Sequence, residues 1–469
     1  MRNMKISNLL YLLMGLIMIS CTSEKENKFT GAKGEVKLIT LDPGHFHAAL
    51  VQKVMYNQID PDVYVYAPEG EDLQIHLDLI NSYNARKNDP TSWNEIVYTG
   101  NDFLEKMLKE KRGNVVVISG NNRKKTEYIY ASIEAGMNVL ADKPMAIDAA
   151  NFELLRKAFN TAEQKGVLLY DIMTERSEIT TILQKEISLI PEIFGTLEKG
   201  TIEDPAVIRE SVHTFYKYVS GSVLKRPAWF FDVSQQGEGI ADISTHLVDL
   251  VQWECFPEQI LNYQKDIQIL SAKRWPTKLS PEEFNTVTRL NEYPLYLKKD
   301  LRGDTLYVYS NGEINYIIKG IHAKVYTVWN YRAPDDAGDA VYALMRGTRS
   351  KLTILQGKEQ NYKPALFIEP VKGVDTASFA KDLAENFSKV TKKYDGVYLK
   401  KINKSYQVII PDKYNTGHEA HFADVTNRFM QYLIDGKLPD WEVPGMIAKY
   451  YTTTQALELA RENDPGKDD

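Results

Sequence analysis

The sequence predicts an α/β protein with two domains: an N-terminal doubly wound parallel sheet and a C-terminal α/β domain with a large, mostly antiparallel open sheet. Two patterns lead to this prediction. Between Val36 and about Tyr170, short continuous apolar runs alternate with amphipathic stretches, which is typical of parallel strands covered on both faces. After about Asp171, strand-like runs alternate apolar and polar residues with a period of two, as half-buried antiparallel strands do.

The first half of the chain contains the predicted parallel sheet. Short apolar runs are predicted as strands at residues 36–41, 63–66, 114–119, 138–141 and 167–170. Helices are predicted between them at residues 47–56, 126–135 and 149–165. Gly136 and Gly166 follow the last two helices, where glycine commonly ends a helix. We therefore assign residues 35–172 to the first domain.

Residues 173–465 are predicted to form the second domain. A helix is expected at residues 178–189, and strands at 324–331 and 351–355. Two strand-like runs, 306–309 and 314–317, flank Ser310-Asn311-Gly312-Glu313, a pattern that predicts a β-hairpin. Helices are predicted at residues 421–434 and 444–462, near the end of the chain.

Residues 1–20 are predicted to be a signal peptide. Arg2 and Lys5 precede an apolar run at residues 9–19, and this run is shorter than the roughly 20 residues that span a bilayer. Met18-Ile19-Ser20-Cys21 resembles a bacterial lipobox, in which Cys21 would be acylated; a plain secretory signal cut near Cys21 is the alternative. Residues 21–34 would be a flexible tether. These features predict a lipid-anchored protein of a Gram-negative cell envelope, at the periplasmic or outer-membrane surface.

The composition excludes several classes of protein. The 469 residues include 57 Lys and Arg against 63 Asp and Glu, with a net charge of −6 and 43% hydrophobic residues. That balance excludes a disordered polyelectrolyte and a multi-span membrane protein. We expect no nucleic-acid partner, because phosphate binding needs a basic field. The two cysteines, Cys21 and Cys255, do not make a disulfide framework.

The turn after the first predicted strand has the position of a dinucleotide-binding loop. It reads Asp42-Pro43-Gly44-His45-Phe46-His47, so Asp42 and His47 stand where two of the three usual glycines would be. Pro43, Gly44, His45 and Phe46 are the candidate cofactor-binding residues here, with backbone N–H groups at a helix start facing a pyrophosphate. A purely structural turn is about as well supported. No acid ends the second strand, so the sequence leaves NAD and NADP open.

Two further segments contain candidate catalytic residues. The predicted strand at 114–119 runs into a polar turn with Ser119, Asn121 and Asn122, and the next strand ends in Asp142-Lys143-Pro144. Lys143 is thereby expected at the carboxyl end of a parallel strand, where open α/β sheets bind ligands. Asp242 and His246 are four residues apart, so a helix places them on one face, where a carboxylate can orient an imidazole. A helix N-cap and a buried histidine are the alternative.

These segments together resemble the Gfo/Idh/MocA (glucose–fructose oxidoreductase / inositol dehydrogenase) family. Asp142-Lys143-Pro144 resembles the family's Glu-Lys-Pro, and residues 237–249 resemble its Gly-Gly…Asp-x-Gly-x-His-x-x-Asp segment, with Ser244 replacing a glycine. The resemblance implies a Rossmann domain, a substrate-binding C-terminal domain, and a cleft between them. It also implies NAD or NADP as cofactor, with Ser119, Asn121, Asn122, Asp142 and Lys143 near the nucleotide. Lys143, Asp242 and His246 form the implied catalytic set.

The resulting prediction is an NAD(P)-dependent oxidoreductase acting on a hydroxyl of a sugar, glycoside or polyol, with a tightly bound and recycled cofactor. Two alternatives remain: a glycoside-cleaving enzyme that works by transient oxidation, and a non-catalytic glycan-binding lipoprotein. Candidate substrate-binding residues, with mixed aromatic and donor character, are Arg176, His213, Tyr216, Lys217 and Trp229. We predict no metal site, since His418 and His421 lack the spacing and the third ligand. A homo-oligomer is expected only by analogy with the family.

Overall fold

The computed structural model describes residues 29–219, 222–333 and 338–464. The predicted signal peptide and Cys21 lie outside these residues. Two sheets organise the described part of the chain, one of six strands and one much larger. Among the described residues, no helix is both long and apolar enough to cross a membrane.

The first sheet is a doubly wound parallel sheet, as the sequence predicts. Its strand order is β3-β2-β1-β4-β5-β6, and every strand pair is parallel. The strands are β1 (Leu38–Leu41), β2 (Asp62–Ala67), β3 (Asn94–Thr99), β4 (Val115–Ile118), β5 (Asn138–Asp142) and β6 (Leu169–Ile172). All residues of β1, β4, β5 and β6 are buried, which is why these strands appear in the sequence as continuous apolar runs.

Helices cover both faces of this sheet. They are α1 (His47–Leu50), α2 (Glu71–Ala85), α3 (Phe103–Glu110), α4 (Lys125–Glu134) and α5 (Ala149–Lys165). The helix predicted at residues 47–56 is wrong in length, because α1 has only 4 residues. The chain leaves the helix through two tight turns, in which Gln52 and Lys53 donate backbone hydrogen bonds to the carbonyls three residues earlier.

The second sheet has ten strands and is mostly antiparallel. Its order is β10-β12-β13-β7-β14-β15-β16-β18-β17, with β11 beside β12, and β13–β7 is its parallel pair. These strands are β7 (Val207–Thr214), β10 (Ile267–Leu279), β11 (Leu301–Arg302), β12 (Thr305–Ile318), β13 (Ile321–Asn330), β14 (Ala340–Arg346), β15 (Ser350–Gln356), β16 (Ala365–Pro370), β17 (Tyr398–Ile402) and β18 (Ser405–Ile409). A separate small hairpin joins β8 (Tyr218–Val219) to β9 (Ser222–Val223).

The helices of the second half of the chain pack against the second sheet, against one another and against the first domain. They are α6 (Ile179–Ser188), α7 (Pro191–Phe194), α8 (Val233–Gln236), α9 (Ile243–Cys255), α10 (Tyr263–Asp266), α11 (Pro281–Thr288), α12 (Thr376–Asn386), α13 (Ser388–Lys393), α14 (His418–Asp435) and α15 (Glu442–Asn463). The helix α14 also contributes Phe422, Phe429 and Leu433 to the hydrophobic core of the first domain. The last part of the chain therefore returns to complete the first domain.

The hairpin predicted at residues 306–317 is wrong. The strand β12 runs through Asn311 and Gly312 without turning, and it pairs with β10 on one side and β13 on the other. The Asn311 side chain donates to the Trp275 carbonyl (3.0 Å) and accepts from the Trp329 amide (2.7 Å), beside a bulge in β10. A Cβ on Gly312 would lie 2.2 Å from Cγ1 of Ile240. Asn311 therefore supplies hydrogen bonds to the backbone beside the bulge, and Gly312 allows the close approach of Ile240. Neither residue forms a turn.

Candidate active site between the two domains

A cavity of about 550 Å³ lies between the domains, at the carboxyl ends of the parallel strands. His45 follows β1, Lys143 follows β5, and Glu175 lies in a single turn of 3₁₀-helix after β6. Asp242 and His246 reach the same cavity from the start of α9. The three predicted catalytic residues, Lys143, Asp242 and His246, are thus brought together from both domains, in the position where open α/β sheets bind ligands.

Lys143 and Asp242 form an ion pair across the domain boundary. The Lys143 Nζ lies 2.7 Å from Oδ1 of Asp242, and their side chains are only 9% and 6% exposed. The other carboxylate oxygen of Asp242 accepts from Nε2 of Gln236 at 3.0 Å. The expectation that Asp242 orients His246 is therefore wrong, because its carboxylate orients the ammonium of Lys143 instead. A buried pair of this kind fixes the position of a donor that faces the cavity.

His246 lines the cavity with its ring nitrogens poorly satisfied. Its Nδ1 is buried and has no hydrogen-bond partner among the described residues. Burial, and then the nearby charge of Lys143, hold the pKa of His246 well below its usual range. The imidazole is therefore neutral near pH 7, and its unprotonated nitrogen can accept a proton.

Asp142 anchors the loop after β1. Its carboxylate accepts from Oγ of Ser119 (3.1 Å) and contacts Nδ1 of His47 (3.0 Å), while Nδ1 of His45 is 3.6 Å away. Burial alone would raise the pKa of Asp142, but the charges of His47 and Lys125 hold it well below the usual value. This carboxylate is thus occupied by protein groups. It ties the loop after β1 to the ends of β4 and β5.

His45, His47 and Asp142 are also a group of potential metal ligands, with ligand atoms within 4.8 Å of one another. The contacts between Asp142 and the two histidines already account for this group. Two ammonium groups, from Lys125 and Lys143, lie close enough to lower the pKa of His45, together with burial and His47. A further cation would face their repulsion, so we do not assign a metal to this group.

The loop at residues 42–47 is not a helix-based pyrophosphate cradle. The backbone N–H groups of Gly44 and His45 donate to the Ser119 carbonyl, at 3.2 and 3.3 Å, and α1 is too short to contribute a substantial dipole. Asp42 adopts φ 47°, the left-handed conformation that favours glycine and, among other residues, Asp or Asn. Asp42 therefore has a backbone conformation that glycine adopts readily, although it carries a side chain. The side chain of Phe46, another candidate cofactor-binding residue of this loop, is 48% exposed.

The turn after β4 forms the other wall of the nucleotide crevice and meets the second domain. Nδ2 of Asn121 donates to Oε1 of Gln235 (2.6 Å), and Nδ2 of Asn122 donates to the carbonyl of Gln236 (2.6 Å). Oδ1 of Asn122 is buried without a partner among the described residues. A Cβ on Gly120 would lie 2.3 Å from the Asp42 carbonyl oxygen, so glycine is required where the two loops touch.

Of the five predicted substrate-binding residues, His213 and Lys217 line the cavity. His213 Nδ1 contacts Oδ2 of Asp339 (3.0 Å), and Nζ of Lys217 donates to the same oxygen (2.6 Å). Oγ of Ser211, on the same face of β7, contacts Nε2 of His213 (2.5 Å). Sequence analysis missed both Ser211 and Asp339. The contact of Asp339 with His213 depends on the pairing of β7 with β14, whereas Ser211 lies two residues before His213 on the same strand.

The other three predicted substrate-binding residues do not line the cavity. Arg176 is buried, and it donates to both carboxylate oxygens of Asp249 (2.7 Å each) and of Glu442 (3.0 Å each). Trp229 donates from Nε1 to Asp72 at 2.9 Å, and the Tyr216 ring packs on Tyr331. The structure therefore does not bring these three predicted residues into the candidate site.

Glu175 is a cavity residue that sequence analysis missed. Burial, and then repulsion from Glu178, raise the pKa of Glu175 to about 7. The signal that would have found it is its place directly after β6, next to the position of Lys143 after β5. The sequence prediction took the neighbouring Arg176 instead, as a charged residue that could bind substrate.

Comparisons with known proteins agree with this architecture. A family model described as "Oxidoreductase family, NAD-binding Rossmann fold" matches residues 70–171. A second, described as "Putative oxidoreductase C terminal domain", matches residues 183–461. The chain belongs to the Gfo/Idh/MocA family of oxidoreductases. The first match begins after the loop at residues 42–47, the part of the Rossmann domain that departs most from the family pattern.

Solved structures support the same assignment, although no curated protein matches the chain. A protein from Parabacteroides merdae, described as a putative oxidoreductase, is 59% identical, with a TM-score of 0.92 over 93% of this chain and 100% of its own. A levoglucosan dehydrogenase in complex with NADH and levoglucosan is 12% identical, with a TM-score of 0.57 over 91% and 97%. GenD2 from gentamicin A biosynthesis, in complex with NAD, is 15% identical, with a TM-score of 0.55 over 91% and 95%. These last two show the shared fold.

Proposed function

We propose that this family member transfers a hydride between a nicotinamide cofactor and a carbinol carbon of a sugar, glycoside or polyol. The observation behind the proposal is the meeting of Lys143, Asp242 and His246, from two domains, in one cavity at the strand ends. Two proteins of the same fold, the levoglucosan dehydrogenase and GenD2, were solved with NADH and with NAD, and the former also with a sugar derivative. Both support a nicotinamide cofactor, and the levoglucosan dehydrogenase supports this substrate class.

The residues at the nicotinamide end of the crevice fit a bound dinucleotide. Oδ1 of Asn122 and Nδ1 of His246 are buried polar atoms that find no hydrogen-bond partner in the described ranges of the chain, and a polar ligand would satisfy them. Lys143, Asn122 and Gln236 also surround a small enclosed space that adjoins Asp242. Bound NAD or NADP supplies the hydride acceptor for the carbinol carbon. Without the glycine-rich loop, we expect the crevice walls after β4 and β5 to provide much of the nucleotide binding.

The protein's own groups handle the proton and the charge. Lys143, fixed by Asp242, donates a hydrogen bond to the substrate oxygen and stabilises the alkoxide that develops as the hydride leaves. His246 is neutral and accepts the hydroxyl proton. Because both groups are largely buried, their interactions with the substrate are screened little by water.

A purification without added nucleotide tests the proposal. We expect NAD or NADP in the purified protein by mass spectrometry, and an absorbance change at the reduced-nicotinamide band when sugars are added. The variant Lys143→Ala should lower kcat by about 10²–10³-fold, whereas Lys165→Ala, at an exposed lysine on α5, should leave kcat unchanged. A protein that binds glycans but never accepts NAD(P) would overturn the proposal in favour of a binding lipoprotein.

We also propose a cellular location for the protein, on the basis of the sequence of residues 1–34. We expect acylation of Cys21 and attachment to the cell envelope of a Gram-negative bacterium. Free dinucleotides are scarce outside the inner membrane, so an enzyme there requires a nucleotide that stays bound and is recycled within the site.

A further inference from the structure

The cavity that contains Lys143 and His246, here named the inner chamber, opens into a second one. This outer chamber has a volume of about 790 Å³ and lies between α14, the end of β18 and the start of α6. The two chambers share the lining residues Glu175, Glu178, Gln356, Pro364 and His418. They therefore adjoin each other, and we treat them as one cleft.

The combined cleft is larger than a single sugar ring needs. The inner chamber, of about 550 Å³, already falls in the range of roughly 300–1,000 Å³ that encloses a whole drug-sized ligand. A monosaccharide whose carbinol lies beside Lys143 would be held within the inner chamber. The outer chamber, with its about 790 Å³, would then contribute nothing to binding. A substrate with a second ring would fill both.

The lining of the outer chamber suits a neutral, amphipathic ring. Tyr414, Ile179 and Ile410 offer apolar surface, while Gln407 and Asn415 offer hydrogen-bonding groups. A sugar ring has an apolar face and a polar edge, so it requires both kinds of surface.

The charges of the outer chamber disfavour an anionic ligand. Its lining has one lysine, Lys363, against the carboxylates of Glu178 and Asp412. A phosphorylated or carboxylated group would meet net repulsion there. The chamber therefore favours uncharged ligands over sugar phosphates and sugar acids.

Glu175 marks the junction of the two chambers. Its carboxyl makes no hydrogen bond within the described part of the chain, and the groups that influence it act through charge. Because its pKa is raised to about 7, a substantial fraction is protonated near neutral pH. A carboxylic acid in this state can both donate to and accept from ligand oxygens.

We propose that the substrate is a neutral glycoside whose first sugar ring occupies the inner chamber and whose second ring occupies the outer chamber. Glu175 would contact the glycosidic oxygen that links the two rings. This inference rests on the proposed function for the identity of the inner ring. It adds the substrate class and a specificity residue, because a free monosaccharide would leave the outer chamber and the junction unused.

Calorimetry on the protein as purified tests the inference without requiring turnover. The probes are glucose, methyl β-glucoside and cellobiose, followed by the corresponding galactose series if glucose compounds do not bind. We expect the disaccharide to bind at least tenfold more tightly than the monosaccharide, about 1.4 kcal/mol. Tyr414→Ala should remove that difference and leave monosaccharide affinity unchanged. Equal affinities, or an equal loss for both ligands in Tyr414→Ala, would overturn the inference.

Glu175→Ala provides the second measurement. It should weaken disaccharide binding more than monosaccharide binding, whereas Glu369→Ala, at an exposed glutamate on β16, should change neither. Hydride transfer is measured separately with the same ligands. Preferential disaccharide binding without hydride transfer would refute the proposed function and leave this inference intact. Hydride transfer together with equal binding of monosaccharide and disaccharide would support the proposed function and refute this inference.

Discussion

Replacing Arg176 distinguishes a structural role from the substrate-binding role that the sequence suggests. Its guanidinium makes four hydrogen bonds to the carboxylates of Asp249 and Glu442, and all three side chains are at most 4% exposed. Asp249 retains Lys449 as a partner at 2.8 Å. No second partner to Glu442 is found in the described part of the chain. Arg176→Ala therefore leaves one buried carboxylate without its countercharge.

The size of the effect follows from these contacts. Four charge-assisted hydrogen bonds at about 1.5–3 kcal/mol each represent roughly 6–12 kcal/mol of interaction. The variant regains the cost of burying the guanidinium, which is several kcal/mol, so breaking such a pair costs a net of about 3–5 kcal/mol. We expect the free energy of unfolding to fall by this amount.

Urea denaturation followed by tryptophan fluorescence measures this change. The control is Lys389→Ala, because the side chains of Lys389 and its partner Glu192 are 55% and 48% exposed and surface pairs contribute about 0–1 kcal/mol. At a temperature where Arg176→Ala remains folded, its KM should stay close to that of the unaltered protein. A variant with unchanged stability but a strongly raised KM would refute the structural reasoning and restore Arg176 as a substrate ligand.

Three further outcomes are expected. His246→Gln should lower kcat by about 10²–10⁴-fold, as loss of a proton acceptor does, with little change in substrate affinity by calorimetry; a KM effect alone would contradict this role. Burial, and then repulsion from Glu178, raise the pKa of Glu175 to about 7, whereas the pKa of an unfolded glutamate is about 4.3. Between about pH 4.3 and pH 7 the folded protein therefore binds more protons than the unfolded chain, and the free energy of unfolding falls as the pH rises. Glu175→Gln should reduce that fall in urea denaturation compared at pH 4 and pH 8, and an unaltered pH dependence would count against the raised pKa. Cys21→Ser should abolish labelling by a radioactive fatty acid and release the protein from the membrane fraction, whereas persistent labelling would exclude Cys21 as the acylation site.

The first domain was largely predictable because four of its strands are fully buried. Continuous apolar runs reveal β1, β4, β5 and β6 directly. The strand β3 was missed because its apolar run, Ile96-Val97-Tyr98, is only three residues long and most of the strand is exposed. The Asn311-Gly312 pair misled in the opposite direction, since its hydrogen bonds and packing are set by β10, β13 and Ile240, which are distant in sequence.

The candidate site shows the same division. The resemblance to the family implied Lys143, Asp242 and His246 as one set, and the strand-end position of Lys143 and the four-residue spacing of Asp242 and His246 agreed with it. Their pairing was not predictable, because Asp242 meets Lys143 only after the two domains dock, and this contact removes the carboxylate from His246. Asp339 depends in the same way on how distant strands align, and nothing local in the sequence distinguishes it from an ordinary surface acid.

The helix α14 has a consequence for how the protein reaches its native state. Phe422, Phe429 and Leu433 fill the interior of a domain whose sheet is built from residues before position 173. During synthesis from the N-terminus, the first domain therefore lacks part of its interior until the ribosome has made nearly the whole chain. Such a delay keeps the nascent polypeptide loosely structured until that helix has left the ribosome and packed.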